Sequence, residues 1–271
     1  MPSANRRDPP ANAIAWAYVG VVLLFLYLPL VPPLLFSVGE AEPAWSASTL
    51  RWYAEMWRNP LLVSAMGTTM TAGLIVAIAA PCLGLLAATA IRELGIPRLV
   101  LLLMLLPLFI PGISMGLATA FFFRALDIAP SLLAIAIVQV LWALPFATLV
   151  ILTVMSTFDP VYLEAAYMCG ASRLRAFLDI ELPLIWPGVL GAGTFSLNLS
   201  FNETVRTAIV QGPLNTVQTY IWSTYKQVGL SPALYALMSL LIVLTVALVA
   251  AFVVGGARTS PAASSVNPQA Q

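Results

Sequence analysis

Histidine is absent from this 271-residue sequence, lysine occurs once, at position 226, cysteine twice, and charged residues make up only 8% of the chain. Without histidine there can be no His-ligated zinc, no Ser-His or Cys-His catalysis and no histidine proton relay. Gly112-Ile113-Ser114-Met115-Gly116 spells a GxSxG string, but it has no base to serve it and no strand ahead of it. It reads instead as small-xxx-small packing, with Gly112 and Gly116 on one helix face. Lys226 follows no GxxxxGK[ST] phosphate loop, so any nucleotide that drives this protein must bind to another chain. Cys82 lies in apolar sequence and Cys169 in a polar loop, a placement that suggests neither a disulfide nor a metal pair. No cofactor and no metal are expected. Net charge is +1 with the basic residues scattered, which leaves no footprint for nucleic acid.

What the sequence has in excess is apolar length. Hydrophobic residues make up 61% of it, and the mean hydropathy is +0.94, more than a soluble core of this size can hide, so the chain must live in a lipid bilayer. Residues 1–12 are short and polar, with Arg6 and Arg7 before the first apolar run, and read as a cytoplasmic tail. Ala13 to Ser37 is too long for a signal-peptide core and reads as an uncleaved first span, with Pro29, Pro32 and Pro33 at its outer end. A loop rich in Trp45, Trp52, Tyr53 and Trp57 follows, in which Thr49 can cap a short interfacial helix. A lipid belt is the favoured reading of that loop, ahead of a contact for a binding protein.

Leu61 to Ile91 is the second span, long enough to require tilt or a bend near Pro81 and Gly84. Leu99 to Phe123 is the third, with Pro107 and Pro111-Gly112 near its middle. Those residues either expose carbonyls to a pathway or let two helices approach closely. Leu132 to Val154 is the fourth span. The fifth runs from Gly188 to about Val210, with small residues Gly188, Gly191 and Gly193 on its inner half and Ser196, Asn198, Ser200, Asn202 and Glu203 on its outer half. Glu203 is then near the outer edge of the hydrocarbon, either as a functional carboxylate or as the partner of Arg206 at i+3. Pro232 to Val254 is the sixth span, and residues 255–271 read as a disordered cytoplasmic tail. With both ends inside, seven basic residues face the cytoplasm and five (Arg51, Arg58, Arg124, Arg206 and Lys226) lie outside, a weak positive-inside bias.

The one long polar interruption in the back half, within residues 155–187, is LEAAYMCGASRLRAFLDIELPLIWP from Leu163 to Pro187. Asp159 and Pro160 suit a helix start, with Glu164 in its first turn, and Gly170 breaks it. A second short helix begins at Ala171-Ser172, with Leu174, Phe177, Leu178 and Leu182 on its apolar face and Arg173, Arg175, Asp179 and Glu181 off it; Pro183 and Pro187 are expected to end it. Two short helices with a glycine corner make a compact knob for a partner to hold.

Glu164-Ala165-Ala166, then Gly170, Ile180 and Leu182-Pro183, in letter and in spacing, resemble the cytoplasmic loop of inner-membrane permeases of binding-protein-dependent ABC importers. The resemblance implies an all-α integral membrane protein with six transmembrane helices, the type I ABC importer permease fold, over residues 13–254. It implies a bacterial inner membrane location, ATPase subunits, a second permease subunit and a soluble substrate-binding protein as partners, and alternating access as the mechanism. Glu164, Ala165, Ala166, Gly170, Ala171, Ser172, Ile180, Leu182 and Pro183 would be the residues coupled to the ATPase. Pro111, Gly112, Asn202 and Glu203 are candidates for the pathway.

The run Phe195 to Ser223, with Ser200-Phe201-Asn202-Glu203, Gly212-Pro213 and Tyr220-Ile221-Trp222, looks like the second permease of polyamine-type importers. Permeases of that subgroup commonly carry an acidic residue after the third-span proline, where this chain has Gly112. Phosphonate, metal-complex, thiamine or opine-like cargo therefore stand beside polyamine. The competing class is a self-sufficient secondary transporter or channel, whose marks are inverted repeats and charges at mid-depth. Neither is expected here: the charges fall at span ends, and the first three spans do not echo the last three.

Overall fold

The computed structural model describes residues 9–39, 50–94 and 97–259. Thr49 and Trp45 of the aromatic loop lie outside the described residues, as does most of each terminal tail. Every regular element described is helical. Five helices are long and apolar enough to cross a membrane, or six when one sharply bent pair counts as a single span. The chain divides into two compact units.

The smaller unit holds residues 1–58 and 228–244. Its first helix, α1 (Pro9–Tyr27), passes through a 3₁₀ turn at Leu28–Leu30 into α2 (Val31–Phe36). The prolines thus tighten the span without stopping it, as their missing N–H groups and fixed φ allow. None of its most apolar window is buried within the chain, so this face is left for lipid or a partner. A short helix, α3 (Arg51–Arg58), carries Tyr53, whose hydroxyl bonds Ser37 at 2.9 Å and Ser239 at 2.6 Å. Phe36 and Tyr235 stack nearby, their centroids 5.3 Å apart.

The larger unit, residues 59–227 and 245–271, is built on three long helices: α4 (Pro60–Glu93), α7 (Leu132–Met155) and α10 (Leu182–Asn202). Their shared core is Val76, Ala80, Ala88, Ala143, Ala147, Ile151, Met155, Ile185, Val189 and Ala192. In lipid the apolar effect does not draw helices together, so close van der Waals packing of small side chains has to do it. Gly84 shows how close: a Cβ there would come within 3.1–3.2 Å of the Ala147-Thr148 backbone. Pro81 does not break α4, which runs unbroken for 34 residues. The carbonyl it deprives of a helical donor, that of Ala77, lies against Gly193 of α10, 3.0 Å from where a Cβ would stand. The small residues of the fifth span are thus spent partly on the chain's own helices: Gly193 on α4, and Gly188 against Val154 of α7.

The third span is not one weakened helix. It is α5 (Pro97–Leu105), a 3₁₀ turn over Leu106–Phe109, and α6 (Gly112–Ala125), with the two halves bent by 101° at Ile110-Pro111. Pro107 and Pro111 remove successive backbone donors, and Pro111 holds its predecessor out of the helical region. The pair still carries the chain across the bundle, because the end of α4 and the end of α7 line one cleft while α7 starts at the opposite side.

The fifth span also differs from a single helix to Val210. It stops at Asn202, breaks at Glu203-Thr204, and resumes as α11 (Val205–Val210), packed on α6 and α7. The chain then forms α12 (Val217–Val228) and α13 (Pro232–Thr259), the latter running through Gly255 and Gly256, where composition suggested a disordered tail.

Candidate functional site

Between α7 and α10 the polar loop folds as two short helices around Gly170. Asp159 accepts a hydrogen bond from the Val161 amide at 3.0 Å and so starts α8 (Val161–Met168). The helix ends in a Schellman motif: Gly170 N–H donates to the Tyr167 carbonyl at 2.9 Å and Ala171 N–H to the Ala166 carbonyl at 3.0 Å, with Gly170 at φ +83°. That backbone conformation is the reason for glycine here, since an L side chain would cost about 1–2 kcal/mol. A Cβ on Gly170 would meet nothing within 4 Å. Ser172 caps α9 (Arg173–Ala176) through the Arg175 amide at 3.4 Å, and a π-helical turn, Phe177–Glu181, leads directly into α10.

Pro183 and Pro187 therefore do not end the second loop helix. Pro183 stands in the first turn of α10, where no donor is required, and Pro187 lies inside it. Around the glycine corner Glu164, Ala165, Gly170, Ser172 and Pro183 are exposed, Ala171, Ile180 and Leu182 half-buried, and Ala166 buried. Tyr162, Tyr167, Met168, Leu174 and Leu178 are exposed as well, Met168 at 88%. Of the expected apolar face Leu174 and Leu178 are exposed and Phe177 and Leu182 half-buried, whereas Glu181, expected off that face, is buried. Glu181 is held by both Nη atoms of Arg92 at the end of α4, the Nη2 bond measuring 3.2 Å. Thr89, Arg92, Met155, Leu163, Phe177 and Glu181 share a cleft of about 830 Å³ under the loop.

The second polar cluster forms where the third and fifth spans break. Glu203 and Arg206 are 6% and 7% exposed. Glu203 Oε1 accepts the Arg206 amide at 2.9 Å and Oε2 accepts Nη1 at 2.6 Å. The guanidinium lies 3.8 Å over the ring of Trp142, and the Nε hydrogen-bonds to nothing. Trp142 is ten residues into α7, roughly 15 Å along it, so the pair sits well within the bundle rather than at its rim. Beside it Gln139 donates to Thr207 Oγ1 at 2.9 Å and accepts from Ser200 Oγ at 2.6 Å, linking α7, α10 and α11.

Gly112, first residue of α6, faces this arginine: its Cβ would stand 3.5 Å from Cζ and Nη2 of Arg206. Gly116, one turn on, abuts the Arg206 backbone and Ile209, so the small-xxx-small reading of the GxSxG string matches the packing of α6 on α11. Of the four residues proposed for a pathway, Gly112 and Glu203 meet through Arg206. Pro111 forms the exposed cap of α6, and Asn202 is exposed and bonded to Asn198. Sequence reasoning missed Arg206 as the centre of the cluster, with Trp142 and Gln139 as its supports; a glutamate-arginine i+3 pair was the only signal. Among the described residues no group of three or more Cys, Asp or Glu side chains is placed to hold a metal ion, and both cysteines are free.

Residues 80–258 match the family described as "Binding-protein-dependent transport system inner membrane component". The chain is similar to the putrescine transport system permease protein PotI of Escherichia coli (strain K12), 27% identical over 246 residues that cover 86% of this chain and 88% of that one. It is similar also to the sulfate transport system permease protein CysT of Salmonella typhimurium, 27% identical over 77% of this chain and 78% of that one. Among solved structures, a chain of a bacterial ABC transporter involved in the import of the acidic polysaccharide alginate superposes with a TM-score of 0.70. It is 18% identical, with 94% of this chain and 98% of the other covered.

Proposed function

We propose a function from one premise: this chain belongs to the family of binding-protein-dependent transport system inner membrane components, and is a multi-pass permease of an ABC importer rather than an enzyme. On this reading its loop around Gly170 seats in an ATPase subunit, a second permease pairs with it, and a soluble binding protein delivers the solute. The bent third span and the broken fifth span line the passage. Closure of the ATPases on ATP moves the loop, and the loop moves α4, α7 and α10 as one body through the shared core and the Arg92–Glu181 pair. With the loop in the cytoplasm, six crossings put both termini there too.

The observation that carries this reading is the Gly170 corner. A positive-φ glycine with open space around it is flanked by exposed Tyr162, Tyr167, Met168 and Leu174, an apolar surface that a cytoplasmic loop has reason to keep only if something covers it. Glu164, Ala165, Ala166, Ala171, Ser172, Ile180, Leu182 and Pro183 shape that corner and are its coupling residues. Gly170→Arg in the whole importer tests the assignment. Uptake should fall to background while the amount of the chain in the membrane is unchanged; normal uptake would end the coupling role. The relatives named for putrescine and for sulfate are both only 27% identical, the first over 86% of this chain and the second over 77%, so cargo charge has to be sought in this chain's own residues.

A further inference from the structure

The start of α6 is uncapped. No side chain bonds to it, Pro111 has no N–H, and the first intrahelical bond is Met115 N–H to the Pro111 carbonyl at 3.0 Å. The amides of Gly112, Ile113 and Ser114 are therefore free donors at the positive end of a 14-residue helix. The group nearest to Gly112 is itself a cation, the Arg206 guanidinium. Placing a cation against a helix N-terminus is unfavourable, and here it is enforced by Trp142 on one face of the guanidinium and Glu203 on its edge.

Glu203 cannot offset both positive groups. Both of its oxygens accept from Arg206, one from the amide and one from Nη1, so its single negative charge is already matched by that cation. Arg206 keeps donors in reserve, with Nε buried and without a partner and Nη2 turned to Gly112. A Cβ at Gly112 would stand in van der Waals contact with the guanidinium, 3.5–3.6 Å from Cζ, Nη2 and Nη1, so glycine leaves room there for about one more atom.

We propose that the uncapped N-terminus of α6 and the buried guanidinium of Arg206 together form a binding site for an oxyanion, and that the transported solute carries a carboxylate, phosphonate or sulfate group. Helix-end amides and an arginine fork are the two standard donors to such groups. This rests on the importer reading above, and it sets the cargo apart from a polyamine. The site lies at breaks in two spans, where backbone donors can face a passage without facing lipid.

Trp142 reports on the site because it touches Arg206. The assembled importer, with ATPases and partner permease, is labelled with 5-fluorotryptophan in phosphatidylcholine nanodiscs, and the Trp142 fluorine resonance is assigned by Trp142→Phe. Acetate, methylphosphonate and sulfate are titrated at constant ionic strength against chloride, with putrescine as the cationic control. At least one oxyanion should shift the Trp142 resonance saturably, while chloride and putrescine leave it in place.

Gly112→Asp keeps the Glu203–Arg206 pair and fills the site with a carboxylate; oxyanion affinity should drop by about tenfold or more, the worth of a charge-assisted hydrogen bond. No response to any of the three oxyanions, a response to putrescine, or an unchanged response in Gly112→Asp would overturn the proposal. So would a resonance moved only by phosphatidylglycerol added to the nanodisc, which would make the anion a lipid phosphate. If no ATPase co-purifies, the importer reading itself fails; if an active complex forms and Trp142 stays silent, only the oxyanion site fails.

Discussion

Arg92 and Arg206 are each paired with a buried glutamate, but the two pairs are built differently. Arg92 reaches Glu181 across 89 positions of sequence, joins the end of α4 to the π turn below α10, and places both Nη atoms on its partner. Its side chain is 36% exposed and its glutamate 1%. Arg206 bonds to a glutamate three residues away, with both side chains under a tenth exposed, and uses only one of its Nη atoms on it. The first pair sets both Nη atoms on a distant element, with Glu93 also 3.9 Å from Nη2, and serves as a brace. The second anchors an arginine locally and leaves donors over for something else. What a buried pair leaves unsatisfied separates a strut from a site.

Removing Arg92 sharpens that contrast most. Arg92→Met strands a buried carboxylate and should destabilise the protein by about 3–5 kcal/mol. Glu181→Gln releases an arginine that already reaches solvent and should cost about 1–2 kcal/mol. Unfolding midpoints of the two variants in one lipid mixture measure the asymmetry, and equal losses would mean that the pair is not a brace. Glu203→Gln comes next. The amide still accepts from the Arg206 backbone but loses the charge that steadies the guanidinium, about 1–3 kcal/mol, so uptake kinetics should change more than the amount of assembled protein. Unchanged kinetics would reduce the pair to a structural turn. Trp142→Phe is the mildest, a weaker ring under the same cation, with an expected cost of about 0.5–1 kcal/mol. A loss as large as that of Arg92→Met would show that the two regions had been ranked in the wrong order.

Much of this architecture can be read from apolar length and punctuation. The long spans stand out because lipid demands about 20 apolar residues for each crossing, and α7, Leu132–Met155, agrees with its expected range to within a residue. Gly170 was legible because a helix that ends in a Schellman turn wants glycine at C′. The 101° bend was not. Pro107 and Pro111 mark a break, but its direction is set by where α6 can pack, with Gly116 against Ile209, and that contact joins segments more than ninety residues apart. Glu181 was placed off the apolar face with Arg173, Arg175 and Asp179, although it stands seven residues after Leu174, which is a position on that face at a 3.6-residue period. It ends a π turn, buried against an arginine that no local pattern connects with it. Arg206 was visible only as the partner of Glu203; its isolation beside a helix N-terminus depends on two chain breaks meeting in space.

The most direct test of the coupling claim uses Cys169, which is native, free, exposed and adjacent to Gly170. With Cys82→Ser to remove the other thiol, maleimide labelling of Cys169 is compared in the isolated chain and in the ATPase-bound complex, followed by thiol cross-linking in native membranes. The account predicts that Cys169 labels readily in the isolated chain, is shielded in the complex, and cross-links to the ATPase subunit in a manner that changes with ATP. Equal labelling in both states, with no cross-link to an ATPase that is present, would contradict it.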